Sequence, residues 1–277
     1  MTPDEVAEIE IGLVLEALWA RHGYDFRHYA RNSLKRRLTA LGDAFGQGSI
    51  SGLIPRLLHQ PGFLSEMLAS LSVPVTGLFR DPAALAALRR EVMPRLASYP
   101  HLSLWLAGCA SGEEAYSLAV LLCEEGLLAR ARIFATDIND RALAQAEEGI
   151  YPLARVEAAE ADYREAGGQG RLVDHLHVAY GYARFHEALR GRIVFAHHNL
   201  VSDGVFCEAH LILCRNVLIY FDSALQGRVL GLFDEALIRD GFLCLGSNES
   251  LRAASEATRF RPFDPAARLF IKKEAVR

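Results

Sequence analysis

No stretch of this 277-residue chain supplies the roughly 18 to 20 consecutive apolar residues needed to span a bilayer. The best candidate, residues 211–221, is broken by Arg215 and Asn216, so no membrane insertion is expected. The opening MTPDEVAEIEIG carries early acids and no basic region ahead of an apolar stretch, so no signal peptide is expected. Cysteine is sparse and scattered. Cys109, Cys123, Cys207, Cys214 and Cys244 are odd in number and have no CxxC pair. That pattern excludes a disulfide framework and a zinc site; no metal is expected, and a reducing, cytoplasmic setting is. Basic charge is not in excess either. A formal net charge of −4 argues against general nucleic-acid binding. Internal repeats and low-complexity tracts are absent.

What the chain does contain falls into two regimes. Up to about residue 71 the apolar residues recur at helical intervals: Ala30, Leu34, Leu38 and Leu41, then Leu53, Leu57, Leu58, Phe63, Met67 and Leu71. No strand pattern interrupts them, which predicts a small helical domain over 1–71. SVPVTGLFRDP, residues 72–82, reads as a linker with Pro74 and Pro82 bracketing an extended segment. Asp81 followed by Pro82 is a suitable N-cap and first residue for the next helix.

Beyond residue 100 the pattern changes to short β-rich runs, LSLWLAG, RIFATD, IVFAHHNL, HLILCRN and FLCLG, separated by helical or mixed stretches. Strand–helix alternation with nearly continuous apolar strands predicts an α/β domain over 83–277, its parallel sheet covered on both faces. Glu113 to Glu125 carries an apolar stripe and ends at Gly126. Ser223 and Gln226 read as a capping box. RLFIKK follows FRPFD too closely for a helical crossover and should enter antiparallel. Residues 151–192 fit neither regime; they read as a hairpin-like insertion.

The segment LWLAGCASGEEAYSLA, residues 104–119, carries the chemistry. A strand delivers the chain into Gly108, small residues and Gly112, and a helix begins at once. Glycines let backbone approach a ligand, and the first helical turn offers unpaired N–H groups. A turn of this kind is equally common in tight packing. Asp137 then ends the next strand, 25 residues past Gly112, where an acid accepts hydrogen bonds from the ribose of an adenosine ligand. A dinucleotide oxidoreductase would share both features. Glu113, however, stands where a pyrophosphate would otherwise lie, and a carboxylate there favours a cationic ligand without phosphates.

LWLAGCASGEEAYSLA, FATDINDRALAQAEEGIY, FAHHNL, LILCRNVLIYFD and GFLCLGSNESL, in this order and spacing, resemble the chemotaxis-receptor (CheR-type) protein-glutamate O-methyltransferases. VTGLFRDP resembles that family's linker, and GYDFRHYARNSLKRRLTALG its helical N-terminal domain, so the resemblance spans almost the whole chain. It implies a class I methyltransferase-like doubly wound sheet with the last strand antiparallel and a small β insertion, preceded by an all-helical domain. It also implies S-adenosylmethionine as cofactor, S-adenosylhomocysteine as product, and the cytoplasmic helices of methyl-accepting chemoreceptors as partners. Roles follow by position. Gly108 and Glu113 would contact the methionine part of the cofactor, Asp137 the ribose, and Asn199 and Leu200 the adenine. Thr76 and Arg80 would reach in from the linker, and Asn216 and Tyr220 would line the methyl-transfer end. Arg80 would steer the substrate carboxylate and Tyr220 hold it. Each residue taken alone has a bland reading: a turn residue for Asn199, a core aromatic for Tyr220, a surface cap for Arg80. A binding module that kept the fold without turnover is the competing reading from another class.

Residues 21–45 carry a local charge of +4 on an otherwise acidic chain. On a helical wheel Arg27, Arg31 and Lys35 share one flank beside the apolar stripe, Arg36 lies further round, and Arg37 falls within the stripe. A positive flank suits capture of glutamate-bearing receptor helices, although a basic helix is more often a solvated face. The linker departs from the best-known members at Pro74, where they have Asn, and at Leu78, where they have Phe. GGQGR, residues 167–171, lies too early to be the glycine-rich loop with which some members grip a receptor tether.

Overall fold

The computed structural model describes residues 1–72, 76–251 and 259–273. Pro74 lies outside them. Four helices come first: α1 (Pro3–His22), α2 (Arg31–Ala44), α3 (Ile54–His59) and α4 (Phe63–Leu71). Thr2 and Glu5 form a capping box at the start of α1, and Gly23, at φ 78°, ends it. The helical stripe expected from the sequence is the core of this unit: Leu34, Leu38, Leu41, Leu53, Leu57, Phe63, Met67 and Leu71 are buried with Ile11, Leu15 and Leu18. Ala30 and Leu58 depart from it: Ala30 is the exposed N-cap of α2, and Leu58 is only partly buried outside the core.

After the linker, α5 (Pro82–Ala87) runs through one π-helical turn into α6 (Met93–Leu96). The α/β part follows as β1 (Leu102–Ala107), α7 (Glu113–Glu124), β2 (Ala131–Asp137) and α8 (Asp140–Glu148). The insertion contains β3 (Ile150–Pro152), α9 (Leu153–Ala158), α10 (Glu160–Glu165), β4 (Leu176–Ala179), β5 (Tyr182–Phe185) and α11 (Glu187–Arg190). β6 (Ile193–His197), β7 (Ala209–Cys214), α12 (Ser223–Ala236), β8 (Leu237–Leu245), β9 (Phe260–Asp264) and β10 (Leu269–Lys272) complete it.

The seven-stranded sheet has the order β6-β2-β1-β7-β8-β10-β9. β6, β2, β1, β7 and β8 are parallel; β10 pairs antiparallel with both β8 and β9, as the short FRPFD-to-RLFIKK connection requires. The insertion is a three-stranded antiparallel sheet, β3-β5-β4, with the three short helices α9, α10 and α11 in addition to the expected hairpin. β1 shows why the sheet must be covered twice. Leu102, Leu104 and Leu106 enter the core shared with α7, whereas Trp105 and Ala107 enter the opposite one, shared with α12. Full burial of each of these leucines contributes about 1.5–3 kcal/mol.

Two local expectations are corrected by tertiary contacts. Asp81 precedes Pro82 as expected, but its carboxylate makes no cap; its backbone is left-handed (φ 51°) and it pairs with Arg215 at 2.7 Å. The cap of α12 is Asp222, which accepts from the Leu225 N–H, not Ser223. Gln226 donates instead to the carbonyls of Leu218 and Phe221.

The helical unit is joined to the sheet by more than the linker. Ala30 N–H donates to the Tyr220 carbonyl at 2.8 Å, and Asp222 N–H to the His28 carbonyl at 2.9 Å. Asn139 Nδ2 donates to Ser72 Oγ at 2.8 Å.

Candidate active site

A cavity of about 330 Å³ opens at the carboxyl ends of β1, β2, β6 and β7. β1 is followed outward by β2 on one side, whereas its other neighbour, β7, comes later in the chain. The cavity thus sits at the topological switch point, where open α/β sheets bind their ligands. The strand ends and the linker supply most of its wall, and the helical unit supplies the rest.

Thr76, Arg80, Gly108, Asp137, Asn199, Leu200, Asn216 and Tyr220 all line it. Residues up to 144 positions apart in the chain therefore converge on one space. Gly108 has φ 86°, and a Cβ there would lie 2.4 Å from Val217 Cγ2, so only glycine fits. The Asp137 carboxylate accepts the backbone N–H of Ala110 at 2.8 Å and that of Asn139 at 2.9 Å. Burial raises its pKa, and those N–H groups oppose the rise. Two such bonds leave the carboxylate with further acceptor capacity, the property a ribose diol needs. Asn199 also acts as a turn residue, its Oδ1 accepting the Val201 N–H at 3.0 Å.

Glu113 lies outside the cavity lining. It is 1% exposed, with Ser111 Oγ at 2.7 Å from Oε2 and Arg155 Nη1 at 3.1 Å from Oε1. The acid that reaches the cavity is its neighbour Glu114. Glu114 also occupies the first turn of α7, but its carboxylate is paired with Arg215, so the electrostatic argument against a pyrophosphate does not pass to it unchanged.

Two buried charges missed in the sequence hold the lining loops. Arg215, its side chain 2% exposed, pairs with Glu114 and Asp81 and donates to the Arg80 carbonyl at 3.1 Å. Glu249, 3% exposed, accepts the N–H groups of Asn216 (3.0 Å), Val217 (2.9 Å), Ile219 (3.3 Å) and Gly246 (2.6 Å). Arg215 fixes the linker beside Arg80. Glu249 fixes the loop between Asn216 and Tyr220, including Asn216 at φ 60°. A signal was available for Arg215: a charge at the carboxyl end of a strand otherwise apolar.

The basic flank is only partly as expected. Arg27 lies in the segment before α2, because Gly23 ends α1 and the helix restarts at Arg31. Its guanidinium turns back onto Asp25 at 2.8 Å and the Trp19 ring at 4.1 Å. Lys35 pairs with Asp4 at 2.8 Å. Arg31 and Arg36 are exposed on α2. Arg37 is partly buried and donates to the carbonyls of Ser70 and Ser72.

An open doubly wound sheet with a reversed last strand, a glycine turn after β1 and an acid ending β2 defines a class I methyltransferase. Residues 9–72 match the family described as CheR methyltransferase, all-alpha domain, and residues 74–266 match CheR methyltransferase, SAM binding domain. The chain is 44% identical over 272 residues to a putative methyltransferase, Cher3, of Pseudomonas putida, covering 98% of this chain and 100% of that one. It is 30% identical over 238 residues to chemotaxis protein methyltransferase 2 of Pseudomonas aeruginosa, covering 83% and 80% respectively. With a chemotaxis protein methyltransferase of Listeria monocytogenes it shares 28% identity over 231 residues, covering 83% and 85%. The chain belongs to the CheR methyltransferase family, and S-adenosylmethionine is its cofactor.

Proposed function

We propose that this protein methylates glutamate side chains on the cytoplasmic helices of chemoreceptor-type proteins, giving glutamate methyl esters and S-adenosylhomocysteine. The observation that supports this most is the convergence of Thr76, Arg80, Asp137, Asn216 and Tyr220 on one cavity that also contains Glu114. In this reading residues 1–71 form the partner-facing helical domain, 72–82 the linker and 83–277 the cofactor-binding domain with the 151–192 insertion. The cytoplasm is its site of action.

S-adenosylmethionine supplies a methyl group on a cationic sulfur. The acceptor carboxylate is ionised at neutral pH, its reference pKa being about 4.3, so no general base is required. The chain's task is to orient the carboxylate and keep water out, because charge is neutralised as the bond forms. Arg80 steers the anion, Tyr220 donates a hydrogen bond to it, and Asp137 holds the ribose. Arg31 and Arg36 supply the exposed positive field for acidic receptor helices.

The test is transfer of labelled methyl groups to receptor-bearing membranes, followed by mapping of base-labile esters. Arg80→Ala and Tyr220→Phe should lower turnover far more than S-adenosylhomocysteine affinity. Label confined to another class of acceptor, or no label at all, would overturn the proposal.

A further inference from the structure

The helical unit reaches the cavity itself. Phe26 and Tyr29 line it, although both belong to the segment between α1 and α2. Tyr29 forms an antiparallel bridge with Phe221, its ring edge-on to the Phe221 ring at 5.0 Å and tilted against Phe26 at 4.4 Å. The hydrogen bonds from Ala30 to Tyr220 and from Asp222 to His28 flank that bridge, so Tyr29 is held at its centre. Its hydroxyl meets no hydrogen-bond partner among the described residues. A partly buried phenol that meets no protein partner and lines a ligand cavity has a donor to offer there.

We propose that Tyr29 is a direct cofactor-binding residue, its hydroxyl serving the ribose side of the cavity beside Asp137 and its ring forming part of the wall. The helical domain then completes the cofactor site as well as meeting the partner. Burial, and then the Asp137 charge, hold the Tyr29 hydroxyl well above the usual phenol range, which keeps it protonated and able to donate. The inference rests on the reading of Asp137 as the ribose acceptor.

Calorimetric titration with S-adenosylhomocysteine decides it. Tyr29→Phe keeps the ring and removes only the donor; affinity should fall roughly threefold to tenfold, with the apo melting temperature unchanged. Combined with Asp137→Asn the losses should be non-additive, since both residues would serve one ligand group. Ala30→Pro supplies an independent variant. Its φ of −57° suits proline, but the ring removes the N–H and occupies the place of the Tyr220 carbonyl, forcing the bridge open. Ligand dissociation should then accelerate about tenfold or more. Wild-type affinity in Tyr29→Phe, with Asp137→Asn weakened, would overturn the inference and leave the Asp137 reading intact. Wild-type affinity in both would overturn the two together.

Discussion

Arg215 and Lys35 are both cations with a carboxylate oxygen at 2.7–2.8 Å, yet they act in opposite surroundings. Arg215 is buried in the wall of the cavity between Asp81 and Glu114, whereas Lys35 meets Asp4 on an open surface. A desolvated charge that loses its partner has no water to turn to, so it pins the segments around it. An exposed pair is screened by solvent and can be rearranged at little cost. The site's geometry accordingly rests on buried charge, whereas charge on the outward face is screened by solvent. Glu249 belongs with Arg215, since its carboxylate organises four backbone donors out of reach of water.

Arg215→Ala is the strongest way to break this contrast. It leaves Asp81 and Glu114 facing each other's charge and should cost about 3–5 kcal/mol in denaturant unfolding. A loss below about 1 kcal/mol would place Arg215 with the surface cations. Glu249→Gln comes next. A carboxamide offers one acceptor oxygen and brings an N–H₂ toward donors already there, so a loss of about 1.5–3 kcal/mol is expected by the same measurement. An unfolding midpoint equal to wild type would show that the loop at Asn216 stands without it.

Asp137→Ala should act on ligand affinity. Loss of a charged acceptor worth about 1.5–3 kcal/mol weakens S-adenosylhomocysteine binding by one to two orders of magnitude. The pH dependence follows from the raised pKa of Asp137. In its proposed role the ionised form accepts the ribose hydroxyls, so affinity should be full at neutral pH. It should fall on acidification, beginning above the ordinary aspartate range. A flat profile for the wild type between pH 4 and 7 would contradict that. The smallest structural effect belongs to Arg31→Glu with Arg36→Glu: stability should change by less than about 0.5 kcal/mol, and ligand affinity not at all. Methylation at limiting receptor should nevertheless slow, and the wild-type rate should fall with salt, as exposed charges are screened over about 8 Å. Unaltered methylation in this variant would make α2 a solvated face only.

Features enforced by the backbone were the ones legible in the sequence. Gly108 and Asp137 follow from how a strand must turn into a helix and where the next strand ends. The antiparallel entry of β10 follows from a connection too short to cross the sheet. Contacts between distant segments were not legible. Asp81 looks like a helix cap until Arg215, 134 residues later, takes its carboxylate. Glu249 carries no local pattern that announces four backbone partners. Arg27 was assigned to the wheel of a helix that had not yet begun, because the end of α1 at Gly23 and the bridge at Tyr29 occupy the intervening segment.

Arg37 gives the inner side of α2 a different mechanical character from its surface. Its guanidinium grips the Ser72 carbonyl, the Ser72 hydroxyl receives Asn139 Nδ2, and the Asn139 N–H meets Asp137 Oδ1. α2 is thus braced, through three short links, against the carboxylate at the end of β2. A force applied along α2 is therefore borne by the wall of the cavity.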